Sequence, residues 1–287
     1  MEKLRSKYKI IDCHTHIGNF MDINNPQSPW DKVTLDTLLS FLNKTGALKA
    51  ILLPVYSWNN TSIIMPTQYV LEVHRKFPDV FIPFCSIDVR EPFFEEEVRL
   101  YADMGCKGFG EYTCKVPLTH RLNLKLLHTC AKLEIPVLFH LAVSESDPYG
   151  ALDPDLSGLE KAAKKFDDVI FILHGPGWWR HISADFPQGV SYPKGPISSL
   201  GKVISLLENY QNIYGDLSAF SGYNAIQRDI EFGKNFLEKF NRKLLYGTDL
   251  EEFFSPDHSL LNLLESMNLS DESYKNILHR NLEKLIP

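Results

Sequence analysis

The stretches Pro136–His140 (PVLFH) and Val169–His174 (VIFILH) decide the fold that this chain is expected to adopt. Both are short apolar runs rich in β-branched and aromatic residues, and both end in a histidine. Between them, Ser157 followed by Glu160 forms a capping-box pattern that predicts the start of a helix. Apolar runs separated by a helical pattern are typical of parallel strands joined by a helical crossover.

The same alternation of apolar runs and helical signals extends along the chain. A second helix, for example, is predicted to begin after Thr34 and to stop at Gly46. A single (β/α)8 TIM barrel of the α/β class, spanning residues 1–287, is the simplest closure of this pattern, although a doubly wound open sheet would give the same local signals. The eight predicted strands are Tyr8–Cys13, Ala47–Pro54, Val80–Ile87, Cys106–Glu111, Pro136–His140, Val169–His174, Asn212–Asp216 and Lys243–Thr248.

Composition narrows the class of protein and its partners. The chain is 44% hydrophobic and 23% charged, which is close to the average for globular proteins. The formal net charge of −6 and the lack of a long basic run argue against nucleic acid as a partner. No apolar run reaches the roughly 18 residues that a membrane helix needs, and the N-terminus lacks a signal-peptide pattern. We therefore expect a cytoplasmic protein with no membrane partner, and a homo-oligomer is compatible with this composition.

Histidines and carboxylates stand at the ends of several predicted strands. His14 and His16 are two positions apart, so a strand would point both rings to one face. Barrel closure makes the first and last strands neighbours, which would bring Asp249 beside these two rings. The carboxyl ends of barrel strands form the functional face. The predicted metal ligands at this face are His14, His16, Glu111, His140, His174 and Asp249, a set suited to zinc, manganese, cobalt or iron.

Each of these residues also has an ordinary structural interpretation. His140 and His174 could be hydrogen-bonded side chains that close two strands, and Glu111 could pair with Lys115. Asp249 could cap the helix that follows it. The shared location of all six residues at one end of the barrel favours the metal site.

The motifs at the first and last strands resemble those of a known family. Ile11–His16 (IDCHTH) and Tyr246–Asp249 (YGTD) are similar to motifs of the metal-dependent hydrolases of the amidohydrolase superfamily. Within that superfamily, the resemblance is to the amidohydrolase-2 group, which includes aminocarboxymuconate-semialdehyde decarboxylase-like enzymes. The resemblance spans the chain, because further motifs follow in the family's order, at Gly108–Glu111, His140, His174–Gly177 and Tyr214–Ser218. It implies a TIM barrel that binds divalent metal, with zinc as the expected ion.

The resemblance leaves the number of metal ions open. Many members bridge two ions with a carbamylated lysine after the fourth strand, and Glu111 occupies that position here. With Glu111 as the bridge, His14, His16 and Asp249 would hold one ion, while His140 and His174 would hold a second one about 3.5–4 Å away. Single-metal members imply instead that one ion is bound by His14, His16, His140 and Asp249, which leaves His174 for the substrate.

Two activities are compatible with such a site. A bound divalent metal lowers the pKa of water to about 7, and Asp249 could take a proton from this water and return it to the leaving group, with His174 assisting. This chemistry predicts hydrolysis of an amide, lactone or ester-like bond in a small molecule. The alternative is non-oxidative decarboxylation of an aromatic or enoic acid. A metal-binding barrel without activity is less compatible with six ligands, because a structural zinc site is usually closed by four.

Three residues after the sixth predicted strand are candidates for substrate binding. Trp178, Trp179 and Arg180 lie in the irregular stretch Gly175–Pro196, which is long for such a connection and is predicted to form a lid. Arg180 could bind a substrate carboxylate through two hydrogen bonds. The two tryptophans could offer flat apolar faces to a substrate or pack the loop onto the barrel.

Overall fold

A computed structural model describes residues 2–18, 32–58, 64–187 and 189–286 of the chain. The strands are β1 Ile11–Thr15, β2 Lys49–Leu52, β3 Phe81–Pro83, β4 Phe109–Tyr112, β5 Val137–Ala142, β6 Ala151–Leu152, β7 Phe171–His174, β8 Ile213–Asp216 and β9 Leu244–Leu245. The α-helices are α1 Glu2–Lys7, α2 Leu35–Thr45, α3 Thr67–Lys76, α4 Phe94–Asp103, α5 Arg121–Leu133, α6 Ser157–Lys165, α7 Pro176–Trp179, α8 Lys202–Asn209, α9 Ala219–Gln227, α10 Ile230–Lys239, α11 Glu251–Phe254, α12 Leu260–Ser266, α13 Asp271–Lys275 and α14 Asn281–Leu285.

Eight of these strands close into a parallel barrel. They pair in the orders β1-β2-β3 and β4-β5-β7-β8-β9, and a parallel bridge between Cys85 and Phe109 joins the two groups. The ring closes because the backbone N–H of Cys13 donates to the carbonyl oxygen of Tyr246 at 2.9 Å. The short strand β6 pairs with β5 outside this ring. Closure decides between the two folds that the strand pattern allowed, and the predicted TIM barrel is confirmed.

The predicted strands occur at the expected places, but several are shorter. The last one was predicted as Lys243–Thr248, whereas only Leu244–Leu245 pair as a strand. Thr248 leaves the ladder because its N–H and hydroxyl donate to the carboxylate of Asp12 at 3.0 and 2.7 Å. A side chain of the first strand therefore fixes the end of the last one. The short strand Ala151–Leu152 was not predicted.

Helix boundaries follow local hydrogen bonds. The side chain of Thr34 accepts a backbone hydrogen bond at the start of α2, and Gly46 ends that helix with φ of 74°, so both predicted boundaries are confirmed. The capping box predicted from Ser157 and Glu160 is wrong. At the start of α6, Asp153 instead accepts hydrogen bonds from two backbone N–H groups.

The apolar side chains of the strands alternate between the barrel interior and the surrounding helices. This alternation sets the direction in which the residues at the strand ends point. Leu138, Ile172 and Tyr214 belong to a small buried cluster with residues from the other strands, whereas their strand neighbours pack in a larger cluster with the helices. Side chains two positions apart on a strand point to the same face. His140, His174 and Asp216 each follow one of these interior residues by two positions, so they point into the mouth of the barrel.

Two further sequence-based expectations can be compared with the structure. The odd number of cysteines and the absence of CxxC spacing predict reduced, buried thiols. All five cysteines are indeed buried and none forms a disulfide. In the described ranges of the chain, no helix combines the length and apolar character needed to cross a membrane.

Candidate metal centre

The first and last strands bring three of the predicted ligands together. The Nε2 atoms of His14 and His16 lie 3.1 Å apart, and they lie 3.6 and 3.4 Å from Oδ1 of Asp249. The backbone N–H of Asp249 donates to the carbonyl oxygen of His14 at 2.8 Å, which ties the two strand ends together. This geometry confirms the predicted convergence of residues that lie far apart in sequence.

Strands β4, β5 and β7 bring the other three predicted ligands to the same opening. Nδ1 of His140 lies 2.8 Å from Oε1 of Glu111, and Nε2 of His174 lies 3.9 Å from the same oxygen. Nε2 of His174 also lies 3.7 Å from Oδ2 of Asp249. All six predicted side chains therefore surround one cavity at the carboxyl ends of the strands.

Glu111 lies between the two groups of histidines. Its Oε2 atom is 3.6 Å from Nε2 of His16 and 4.0 Å from Nε2 of His14, while Oε1 faces His140 and His174. The alternative interpretation, in which Glu111 pairs with Lys115 at the surface, is wrong, because the Glu111 side chain is buried and faces four imidazoles.

The outer nitrogens of His14 and His16 each face a neighbouring acceptor. Nδ1 of His14 lies 2.7 Å from Oδ2 of Asp216, and Nδ1 of His16 lies 3.0 Å from the carbonyl oxygen of Leu53. With Nδ1 donating to these oxygens, Nε2 of both rings carries a lone pair toward the cavity. His14 and His16 are thus held in the tautomer that binds a metal.

Asp216 is a functional candidate that the sequence interpretation missed. Its carboxylate is fully buried, and Oδ2 also lies 3.4 Å from Nδ1 of His174, which is 2.8 Å from the hydroxyl of Ser218. Asp216 therefore supports one ring from each group of histidines. The signal was available, because Asp216 ends the seventh predicted strand, at the same face as the six ligands.

The site is rich in buried negative charge. Burial alone would raise the pKa of Glu111, but its hydrogen bond with His140 and the nearby imidazoles hold that pKa well below the usual range. The pKa of Asp249 is lowered by His14 and His16 against the effect of burial. Burial lowers the pKa of His174, yet the hydrogen bond and charge of Asp216 raise it to about 9. These carboxylates attract positive charge, which a divalent cation would supply.

The chemistry of the donor atoms fits a metal ion. Three sets of side chains each offer ligand atoms within 4.8 Å of one another, namely His14 with His16 and Glu111, His14 with His174 and Asp249, and Glu111 with His140 and His174. Imidazole nitrogens and carboxylate oxygens are the ligands of catalytic zinc and of other first-row divalent metals. The residues present therefore fit the metal that the sequence motifs implied.

Asp249 does not serve as a helix cap. Helix α11 begins after Leu250 and has no side-chain cap hydrogen bond, so this alternative interpretation is wrong. Asp249 instead has a backbone φ of 49°, a left-handed conformation that aspartate tolerates better than most residues. Its backbone bond to His14 holds this conformation and directs the carboxylate to the histidines.

The substrate-binding prediction needs correction for the two tryptophans. Trp178 and Trp179 are 0% and 2% exposed, and Nε1 of Trp179 donates to the carbonyl oxygen of Asp216 at 2.8 Å. Both rings pack the segment onto the barrel, so neither leaves a face for a ligand. A large aromatic residue near a strand end can form the wall of a pocket. Here both rings are buried against the barrel, where they stabilise the fold.

Arg180 differs from these neighbours. Its side chain is 6% exposed, and its guanidinium carbon lies 4.3 Å from the ring centroid of Phe186. Within the described part of the chain, its buried Nε has no hydrogen-bond partner. Burial lowers the pKa of Arg180, while the negative charge of Asp147 opposes this effect. Arg180 thus retains an unsatisfied donor.

The described residues of the predicted lid, Gly175–Pro196, are held to the helices beside it. The segment contains α7 and a 3-10 helix at Arg180–Ile182, and the amide of Asn224 donates to the carbonyl oxygen of Pro193 at 3.1 Å. Arg228 also donates to the hydroxyl of Ser183. Residue 188 lies outside the described residues. That the segment acts as a lid stays a prediction.

No protein-family model matches this chain, and a search of curated proteins finds no match. Solved structures do share its fold. An uncharacterised TIM-barrel protein from Bordetella bronchiseptica has a TM-score of 0.68 at 15% identity, over 96% of this chain and 98% of its own. A probable 2-pyrone-4,6-dicarboxylic acid hydrolase from Acinetobacter baumannii has a TM-score of 0.63 at 15% identity, over 96% and 98%. A 5-carboxyvanillate decarboxylase from Novosphingobium aromaticivorans, complexed with manganese, has a TM-score of 0.62 at 13% identity, over 97% and 96%.

At these identities the likeness is one of fold. The Bordetella protein is itself described as a TIM-barrel protein, which agrees with the barrel described above. The neighbours include both a hydrolase and a decarboxylase, which are the two activities expected from the motifs, and one of them holds a divalent metal.

Proposed function

We propose that this protein is a metal-dependent hydrolase that cleaves an amide, lactone or ester-like bond of a small molecule. The position of Glu111 carries the proposal. Its two carboxylate oxygens face different histidine pairs, with Oε2 near His14 and His16 and Oε1 near His140 and His174. A carboxylate in this position can bridge two cations, and two-metal sites are common in hydrolytic enzymes.

The donor set divides into two groups. His14, His16, Asp249 and one oxygen of Glu111 would hold one divalent cation, and His140, His174 and the other oxygen of Glu111 would hold a second, with zinc as the proposed metal. A cation held there lowers the pKa of water and polarises a carbonyl group. The protein supplies the orientation of the rings through Asp216, Leu53 and Ser218.

Asp249 is the proposed catalytic base and acid. Its carboxylate faces His14, His16 and His174, and its pKa is held low, so it is ionised and can accept a proton. It takes one proton of the attacking water while the water oxygen bonds to the carbonyl carbon and the C=O electron pair moves to oxygen. When that pair returns, the bond to the leaving nitrogen or oxygen breaks, and Asp249 delivers the proton to the leaving atom.

Arg180 is the proposed binding residue for a carboxylate on the substrate. It is a buried guanidinium with an Nε donor that has no partner among the described residues. A buried donor without an acceptor costs free energy, which a bound carboxylate would recover through charge-assisted hydrogen bonds. The substrate would then carry a carboxylate away from the bond that is cleaved.

Non-oxidative decarboxylation of an aromatic or enoic acid is the second candidate. It is favoured by the likeness of this fold to a 5-carboxyvanillate decarboxylase, and by the option of a single ion on His14, His16, His140 and Asp249. In that case His174 would contact the substrate.

One experiment separates these candidates. Protein purified without chelator is loaded with zinc or manganese, its metal content is measured, and a panel of amides, lactones and carboxylic acids is assayed for hydrolysis products and for bicarbonate. We expect two ions and hydrolysis of at least one lactone or amide. Less than roughly half an equivalent of metal after reconstitution at neutral pH would contradict the metal site. One ion with bicarbonate release would replace the hydrolase with the decarboxylase.

A further inference from the structure

Tyr149 lies beside the metal centre and takes no part in the mechanism described so far. It belongs to the connection between β5 and β6, and its ring meets the ring of His140 edge-on with 4.8 Å between centroids. His140 in turn lies 2.8 Å from Glu111 through Nδ1. The phenol is therefore next to a proposed metal ligand, on the side of the cavity formed by the loop after β5.

The backbone beside Tyr149 adopts a conformation that requires glycine at position 150. Gly150 has φ of 107°, and a Cβ atom at that position would lie 2.8 Å from Cδ2 of His140. The N–H of Gly150 donates to the carbonyl oxygen of Thr113 at 2.9 Å. This close approach lets the loop press against His140, and it sets the position of the Tyr149 ring without a hydrogen bond from the phenol itself.

The Tyr149 hydroxyl donates no hydrogen bond to any residue that the structure describes. Its side chain is half-buried. A phenol has an ordinary pKa of about 10, so it is protonated at neutral pH. A protonated phenol near the ligands can donate to an oxygen but cannot serve as a base at neutral pH.

We propose that the Tyr149 hydroxyl donates a hydrogen bond to the substrate oxygen that becomes negatively charged when water adds to the carbonyl carbon. This inference rests on the proposed hydrolysis, and it makes Tyr149 a catalytic residue of the same site. The ring packs on His140, and in this proposal the hydroxyl is the part of the side chain that contacts the substrate. Donors aimed at a developing oxyanion stabilise the transition state more than the ground state.

The test removes only the hydroxyl. Tyr149→Phe is compared with wild type and with Tyr210→Phe, which loses a phenol that donates to Glu160 on the outer helices. The zinc-loaded proteins are titrated calorimetrically with methylphosphonate, which mimics a tetrahedral anion, and with acetate, which is planar. We expect Tyr149→Phe to weaken methylphosphonate binding roughly 10- to 100-fold, because a hydrogen bond to a charged group is lost. Acetate binding, zinc content and the Tyr210→Phe protein should match wild type.

Equal methylphosphonate affinity in Tyr149→Phe and wild type would overturn the inference, and so would loss of zinc from the variant, because Tyr149 would then act only as packing for His140. With any substrate that wild type hydrolyses, Tyr149→Phe should lower kcat about 10²–10³-fold with little change in KM. If wild type hydrolyses nothing in the panel, the proposed function fails, while the methylphosphonate titration still decides whether Tyr149 binds a tetrahedral anion.

Discussion

The two histidine pairs at the barrel mouth are built differently. His14 and His16 come from one strand, and their outer nitrogens contact Asp216 and the carbonyl oxygen of Leu53, so both rings are fixed by groups outside the cavity. His140 and His174 come from neighbouring strands. His140 turns Nδ1 toward Glu111, a proposed ligand inside the cavity.

This difference indicates that the two halves of the site depend on Glu111 to different degrees. The pair on the first strand keeps its orientation without Glu111. Among the described residues, by contrast, that carboxylate is the one polar partner of the His140 ring. Asp216 is common to both halves, because it contacts His14 and His174. Four substitutions, at Asp249, Glu111, Asp216 and Arg180, therefore test how the two halves of the site differ.

The largest effect is expected from Asp249→Asn. Asn cannot accept the proton of the attacking water, so kcat should fall about 10²–10⁴-fold. The fold should be retained, because the backbone N–H that bonds to His14 is unchanged. Steady-state kinetics and circular dichroism check this, with the substitution Asp257→Asn at an exposed aspartate as the control. A folded variant with the kcat of wild type would remove Asp249 from its proposed role.

Glu111→Gln should separate the two halves of the site. The amide has one acceptor oxygen and no negative charge, so it cannot bridge two cations, and the metal content should fall from two ions to one. The remaining ion should be bound by the half that contains His14 and His16. Metal analysis under excess zinc measures this, and Glu91→Gln, a carboxylate that accepts from Tyr56 and Trp58, is the control. Unchanged stoichiometry would mean that Glu111 is no bridge.

Asp216→Asn should weaken both halves together. Loss of the charge that supports His14 and His174 should lower metal affinity about 10- to 100-fold, as is typical for groups that orient metal ligands. Competition with a chelator gives the affinities, and the exposed Asp168→Asn is the control. A loss confined to one ion would show that Asp216 supports only one pair.

The smallest effect is expected from Arg180→Gln, which lies outside the histidine pairs. For substrates that carry a carboxylate, KM should rise about tenfold while kcat and metal content stay near those of wild type, because a charge-assisted hydrogen bond is lost in binding only. An uncharged analogue should show no change. Equal KM values for both kinds of substrate would exclude Arg180 from substrate binding.

The sequence by itself determined the strands and most of the site. Apolar runs with helical patterns between them predicted eight parallel strands, and the end of each run marked a position at the functional face. His14, His16, Glu111, His140 and His174 were found for this reason, since a strand end depends on local sequence. Asp249 needed only the added step that the barrel closes.

Only the tertiary structure decided how these side chains are supported. Asp216 and His14 are 202 residues apart, and nothing in either local sequence states that their side chains meet at 2.7 Å. The burial of Trp178 and Trp179 was also undetermined, because a large aromatic residue near a strand end can line a pocket or pack against the barrel. The contact of Tyr149 with His140, like the burial and orientation of the other rings, depends on which surfaces meet when the barrel closes. The periodicity of the local sequence does not determine such contacts.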